Sequence, residues 1–205
     1  HLPLECSHLY LAIEGKLAAV ICVEDPLREE AADAVRELKE AGITKVVMMT
    51  GDSERTAAAI AKRVGVDEYY SEVLPEDKAS FVEKEKELGH KVIMIGDGIN
   101  DSLALSSASV GIAISDGAAI AREIADVTIS ADNLHEIVTL KRLSTALMKR
   151  IHNNYRTIIG INGGLIALGV TGIIMPTTSA LLHNVSTLTI SLRSMRNLLP
   201  KEEEA

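Results

Sequence analysis

Val92-Ile93-Met94-Ile95-Gly96-Asp97-Gly98-Ile99-Asn100-Asp101 decides how this chain is read. Its four leading apolar residues fit a strand buried on both faces, as in parallel sheets. The two glycines permit a sharp turn and a close backbone approach immediately after it. Asp97 at the strand end and Asp101 four residues on place two carboxylates where parallel α/β sheets bind ligands. A lone Gly-Asp-Gly is usually a surface turn. Behind an apolar strand and ahead of Asn100-Asp101 it is a candidate Mg²⁺ site, because that ion takes one or two carboxylates together with waters and phosphate oxygens.

The same pattern recurs on either side. Upstream, Leu17–Val23 is an apolar run, helical periodicity extends from Leu27 to Glu40, and Lys45–Met49 ends in the turn Thr50-Gly51-Asp52. Helices are expected over Arg55–Arg63 and, opened by Pro75, over Pro75–Leu88; short strands follow at Val110–Ala113 and Val127–Ile129. Apolar strands alternating with helices predict the α/β class, with a parallel sheet covered on both faces. The Thr50 hydroxyl and the amides after it can meet phosphate oxygens at a helix start, although a plain capping turn reads the same way. Lys78 can neutralise phosphoryl charge, although an ordinary exposed helix lysine reads the same way. Hydroxyl, lysine and paired carboxylates are three parts of a phosphoryl-transfer site, and a nucleophile is the missing fourth.

Composition narrows the classes. A net charge of −8 and only five aromatic residues argue against a nucleic-acid partner. Cys6 and Cys22 are too few for a disulfide framework and fit a reducing compartment. Charge is unevenly spread: from Lys149 onward there are six basic residues and three acidic ones, and Thr157–Leu192 is a run of 36 residues without Asp, Glu, Lys or Arg. Thr157–Met175 is long enough for a spanning helix, Pro176 breaks the run, and Thr177–Leu192 is a second, more polar candidate. Basic residues outside both ends and an uncharged turn predict a membrane hairpin with cytoplasmic ends. A buried helical hairpin in a soluble protein is the alternative. Polar residues inside it (Asn162, His183, Asn184, Ser186) serve either interhelical hydrogen bonding or an ion path, since a neutral imidazole is a common transition-metal ligand.

Thr50-Gly51-Asp52, then Leu74-Pro75-Glu76-Asp77-Lys78, then Gly96–Asp101, in this order, resemble the haloacid-dehalogenase-like phosphorylation domain of P-type ATPases. Asp25-Pro26-Leu27-Arg28, Val110–Ile114 and Ala125-Asp126-Val127 look like further segments of that domain. Two expected spans after the acidic turn resemble the heavy-metal-translocating branch. The resemblance implies a haloacid-dehalogenase-like Rossmannoid parallel sheet followed by a two-helix transmembrane hairpin. Its parts are the phosphorylation domain (1–135), a helical connector (136–156), the helix pair (157–192) and a cytoplasmic tail (193–205). It further implies that Thr50, Gly51, Asp52, Lys78 and Asn100 bind or position the phosphoryl group and that Asp97 and Asp101 serve Mg²⁺. Asn162 falls on the ion path, with His183, Asn184 and Ser186 beside it.

The implied partners are ATP, a transition-metal cation, the lipid bilayer of the cell membrane and upstream pump domains. The family's Asp-Lys-Thr-Gly-Thr phosphorylation sequence does not occur in the 205 residues, and Asp25 lacks the pattern that follows that nucleophile. The expectation is therefore the C-terminal part of a metal pump, inactive when alone. His183-Asn184-Val185-Ser186-Thr187 matches none of the copper, zinc or cobalt patterns, which leaves the metal open. Two other readings stay in play: a soluble phosphatase of the same superfamily, and a non-catalytic membrane-anchored module.

Overall fold

In a computed structural model, which describes residues 7–23, 27–96, 99–114, 119–129 and 133–199, the first elements are β1 (Ser7–Ile13) and β2 (Lys16–Val23). They pair antiparallel, with Ile13 opposite Lys16 and Ser7 opposite Val23. This corrects the expectation for Leu17–Val23, which belongs to a hairpin and not to a parallel sheet. Glu14 and Gly15 both adopt positive φ (50° and 75°), the two-residue turn whose twist suits paired strands. The apolar run thus finds its partner in the residues just before it.

Helix α1 (Ala31–Glu40) starts later than the periodicity suggested, because Ala31 N donates to Arg28 O in a preceding turn. β3 (Val47–Met49), α2 (Glu54–Val64) and β4 (Glu68–Tyr70) form a parallel β-α-β unit, with Val47 opposite Glu68. α3 (Pro75–Glu87) has proline in its first turn, and Leu74 N donates to Asp77 Oδ2 at 3.2 Å. β5 (Ile93–Gly96) leads through a 3₁₀ turn (Ile99–Asp101) into α4 (Ser102–Ser107). β6 (Val110–Ile114), α5 (Ala119–Ile124) and β7 (Val127–Ile129) complete the unit. β5, β6 and β7 are parallel in that order, with Gly96 opposite Ala113. The parallel α/β architecture expected for the acidic turn is therefore present.

The core around that turn is made of small and branched residues. Ala79, Val82 and Ala104 are buried together, with Val92, Met94 and Ala108 packed on them. Leu105 and Ala113 form a neighbouring cluster with Met94 and Ala125. Alanine side chains let α3 and α4 approach closely, and Val82 is only 1% exposed. Truncating Leu105, also 1% exposed, to alanine costs about 2–5 kcal/mol by lost transfer energy and the cavity left behind.

The chain divides at Val138 into an α/β unit and a helical one. α6 (His135–Val170) is a single helix of 36 residues, so the expected connector and first span are continuous. α7 (Pro176–Ser194) has 19 residues and no buried side chain. Within the helical unit the two are antiparallel: Asn154 Nδ2 donates to Ser194 Oγ at 2.7 Å, and Asn162 meets His183. The Arg150 guanidinium donates to the carbonyls of Ser194, Arg196 and Asn197 at the C-terminal end of α7.

The expected membrane span over Thr157–Met175 differs from what forms. No helix among the described residues is long and apolar enough to cross a membrane. Gly172 takes φ 71°, Ile173 N turns back to Leu168 O, and the helix stops at Val170. The 14 helical residues after Arg156 reach roughly 21 Å at about 1.5 Å each, short of a hydrocarbon core of about 30 Å. In α7 the hydroxyls, His183 and Asn184 dilute the apolar residues.

Candidate active site

The acidic turn sits where β5 ends. Asp101 closes the 3₁₀ turn and is only 8% exposed, a depth at which a carboxylate needs a partner. That partner is Lys78, whose Nζ donates to Asp101 Oδ1 at 2.8 Å. α3 supplies the lysine from its first turn, and α3 and α4 are locked by the Ala79–Val82–Ala104 contact. The two charges are thus fixed by the same packing that forms the core. A Cβ built on Gly96 would lie 2.6 Å from Asp101 Cβ and 2.8 Å from its Oδ2. Only glycine lets the carboxylate rest against the end of the strand.

Those features fit Mg²⁺. Asp101 offers hard oxygen, and Gly96 lets its carboxylate lie against the end of the strand. Mg²⁺ takes few protein ligands and fills its shell with water and phosphate oxygens, so a carboxylate at a strand end suits it. Asp97 and Gly98, singled out by sequence, lie outside the described residues. Asn100 is exposed on the turn.

The second turn follows β3. Thr50 Oγ1 donates to Asp52 Oδ2 at 2.6 Å and accepts from Asp52 N at 3.1 Å, a local closure that fixes the hydroxyl. Thr50 N donates to Tyr70 O, while Val73 N donates to Thr50 O and Glu72 N to Asp52 O. The turn is therefore laced to residues 70–73, which lead directly into the helix carrying Lys78. Gly51 packs near Val73 O, its would-be Cβ 4.0 Å away.

Sequence reasoning did not find Glu54. Its Oε1 accepts from Tyr69 OH at 2.8 Å and its Oε2 from Ser71 Oγ at 2.5 Å. The Ser71 hydrogen bond, then that from Tyr69, holds its carboxyl below the usual range, and the Tyr69 phenol is correspondingly raised. The available signal was a glutamate in the first turn of a helix, too common to be singled out.

In the helical unit, His183 Nδ1 lies 2.8 Å from Asn162 Oδ1. An amide oxygen only accepts, so Nδ1 is the donor in this pair. Asn162, Ile166, Ser179, His183 and Asn184 line one open cleft. Ser186, expected beside them, instead donates its hydroxyl to His183 O at 2.8 Å.

Residues 4–109 match the haloacid dehalogenase-like hydrolase family. The chain is 37% identical over 189 residues to a zinc-exporting P-type ATPase of Mycobacterium marinum (strain ATCC BAA-535 / M), covering 92% of this chain and 26% of the relative. It is 44% identical over 179 residues to copper-transporting ATPase 2 of Rhizobium meliloti (strain 1021), covering 87% and 21%. The crystal structure of a zinc-transporting PIB-type ATPase in the E2.Pi state superposes with a TM-score of 0.85 at 31% identity, over 96% of this chain and 32% of that one. The chain spans about a quarter of the length of the curated relatives it matches.

Proposed function

The chain belongs to the haloacid dehalogenase-like hydrolase family, with metal-exporting P-type ATPases among its relatives, and we propose that it is the C-terminal part of an ATP-driven exporter of a transition-metal cation. The observation that carries this reading is the partly buried Lys78–Asp101 pair, set against a glycine at the end of a parallel strand. It supports a site that handles a multiply charged oxyanion beside a divalent cation.

In the proposed reaction an aspartate on residues outside this chain attacks the terminal phosphoryl group of ATP. Thr50 would turn its hydroxyl from Asp52 to a phosphoryl oxygen, with the Gly51 amide beside it and Asp52 holding the turn. Lys78 sets a fixed positive charge toward the oxygens on which negative charge accumulates, an arrangement that needs no reorganisation as the bond breaks. Asn100 helps position the group. Asp97 and Asp101 would hold Mg²⁺, which when bound neutralises phosphoryl charge.

The helix pair would form part of the membrane portion, with the α/β unit cytoplasmic. Neither helix is long and apolar enough to span a membrane alone. However, the match to the zinc-transporting structure covers nearly the whole chain, and large apolar side chains such as Ile166, Val170, Leu181 and Leu188 are exposed. Hydroxyls of α7 at Ser186, Thr187, Thr189 and Ser191 are bonded to carbonyls of their own helix, which lowers the cost of placing them in lipid beside neighbouring helices. Asn162, His183 and Asn184 would face the transported cation. Relatives that export zinc and copper leave the metal open.

The test is phosphoprotein formation from ATP by the full pump in the presence of candidate metal cations. Metal-dependent, acid-stable label that disappears in Asp97→Ala is expected; normal ATPase activity in Asp97→Ala would sink the assignment.

A further inference from the structure

Glu54 is the first residue of α2, yet both of its carboxylate oxygens are used by a segment fifteen to seventeen residues further on, through the hydroxyls of Tyr69 and Ser71. We propose that Glu54 is a positioning residue for phosphate binding, its carboxylate fastening the Thr50–Asp52 turn to the segment that carries Lys78 into place. This rests on the phosphoryl-transfer reading of the same site.

Three backbone bonds tie the turn to residues 70–73: Thr50 N to Tyr70 O, Val73 N to Thr50 O, and Glu72 N to Asp52 O. That segment is not self-supporting. Glu72 adopts φ 53°, a left-handed conformation that a non-glycine residue keeps only when its surroundings impose it. Ser71 immediately precedes Glu72, so its bond to Glu54 acts at the strained point, and the Tyr69 bond acts one residue before Tyr70. The chain then passes through Val73 and Leu74 into α3, where Lys78 reaches Asp101. One carboxylate thereby fastens the Thr50 turn to the segment that leads into α3, whose own packing on α4 sets the lysine. An ionised carboxylate is an acceptor on both oxygens, which is what two hydroxyl donors require. Glutamine keeps one acceptor oxygen, and alanine keeps none.

The experiment is a titration of the ¹⁵N-labelled 205-residue chain, in detergent with excess MgCl₂, with inorganic phosphate. The readout is the shifts of the Thr50 and Gly51 amides. Glu54→Ala is expected to weaken phosphate binding about tenfold and Ser71→Ala by a smaller factor. The Glu54→Ala, Ser71→Ala double variant should be no weaker than Glu54→Ala alone, since both act through one bond. Glu54→Gln should recover part of the loss. Amides of the core residues Val82 and Ala104 report whether each variant is folded, and Ser71→Ala decides the matter if Glu54→Ala disturbs them.

A merely structural staple would lower the unfolding temperature and leave the phosphate curve in place, which overturns the proposal. Wild-type binding in Glu54→Ala and Ser71→Ala, alongside loss in Lys78→Ala, overturns the role of Glu54 and leaves the site intact. No binding by the wild-type chain, or binding unchanged in Lys78→Ala and Thr50→Val, overturns the phosphoryl reading and this inference with it.

Discussion

In the α/β unit several hydroxyls reach across the chain, Ser71 and Tyr69 to Glu54 and Ser107 to Glu83, and Ser109 Oγ accepts from Val92 N, while Ser80 and Ser106 bond to carbonyls of their own helices. In the helical unit they turn inward. Thr157, Thr171, Ser186, Thr187, Thr189, Ser191 and Ser194 all donate to carbonyls three or four residues back. The apolar residues beneath α3 and α4 are packed, whereas those of the β1–β2 hairpin and of α7 are exposed, as is Val170 at 84%. The same residue types thus build a polar site facing water in one place and a self-satisfied rod in the other. The lesson is that the two units are made for different surroundings.

Glycine substitutions give the largest effect with which to break that comparison. Gly96→Ala would drive a Cβ to 2.6 Å from Asp101, so phosphate binding by the chain should be lost; retained affinity in the same amide titration would mean that Asp101 is not held as described. Gly111→Ala meets Leu105 O, a backbone atom, at 2.6 Å and should destabilise the α/β unit by about 1–3 kcal/mol or more in urea unfolding. Gly164→Ala meets nothing within 4 Å and lies within α6, so it should be neutral or stabilise that helix by up to about 1 kcal/mol. Equal losses at Gly111 and Gly164 would erase the distinction between packed and unpacked units.

Solubility sharpens it next. Residues 1–138 expressed alone should stay in the aqueous phase on detergent phase separation, and 139–199 should enter the detergent phase. Co-partitioning of both pieces into water would remove the argument for lipid around the helices.

The smallest effect concerns a surface clamp in the α/β unit. Lys39 Nζ donates to Asp67 Oδ1 at 2.8 Å and to Gly65 O, while Val46 N donates to Asp67 Oδ2. The lysine bond, then the amide bond, holds the Asp67 carboxyl below its ordinary value. A lowered folded-state pKa contributes stability that is present above the unfolded value, about 3.9, and lost as pH falls through the lowered folded one. Asp67→Asn should therefore lower the melting temperature slightly at neutral pH, with the difference from wild type fading in acid. A difference that grows on acidification would reverse the sign of the account.

Much of this was legible in sequence where the chemistry is local. Val92–Gly96 and Lys45–Thr50 announce strand and turn through contiguous apolar residues followed by glycine, and Lys78 follows a proline that starts its helix. Other features take their meaning from partners far along the chain. β4 is Glu68-Tyr69-Tyr70, an exposed triplet with no apolar run, and becomes a strand only by pairing with β3. Glu54 is ordinary until Ser71 and Tyr69 are brought to it. The apolar run continues to Met175, yet α6 stops at Val170, because Gly172 takes a left-handed backbone that ends the helix first.

The most direct test of the central claim is metal-stimulated ATP hydrolysis by the full pump in lipid vesicles, comparing wild type with Lys78→Ala. The account predicts hydrolysis that depends on a transition-metal cation and falls by about 10²-fold or more when the charge beside Asp101 is removed. Equal metal-stimulated hydrolysis by the two proteins would contradict it.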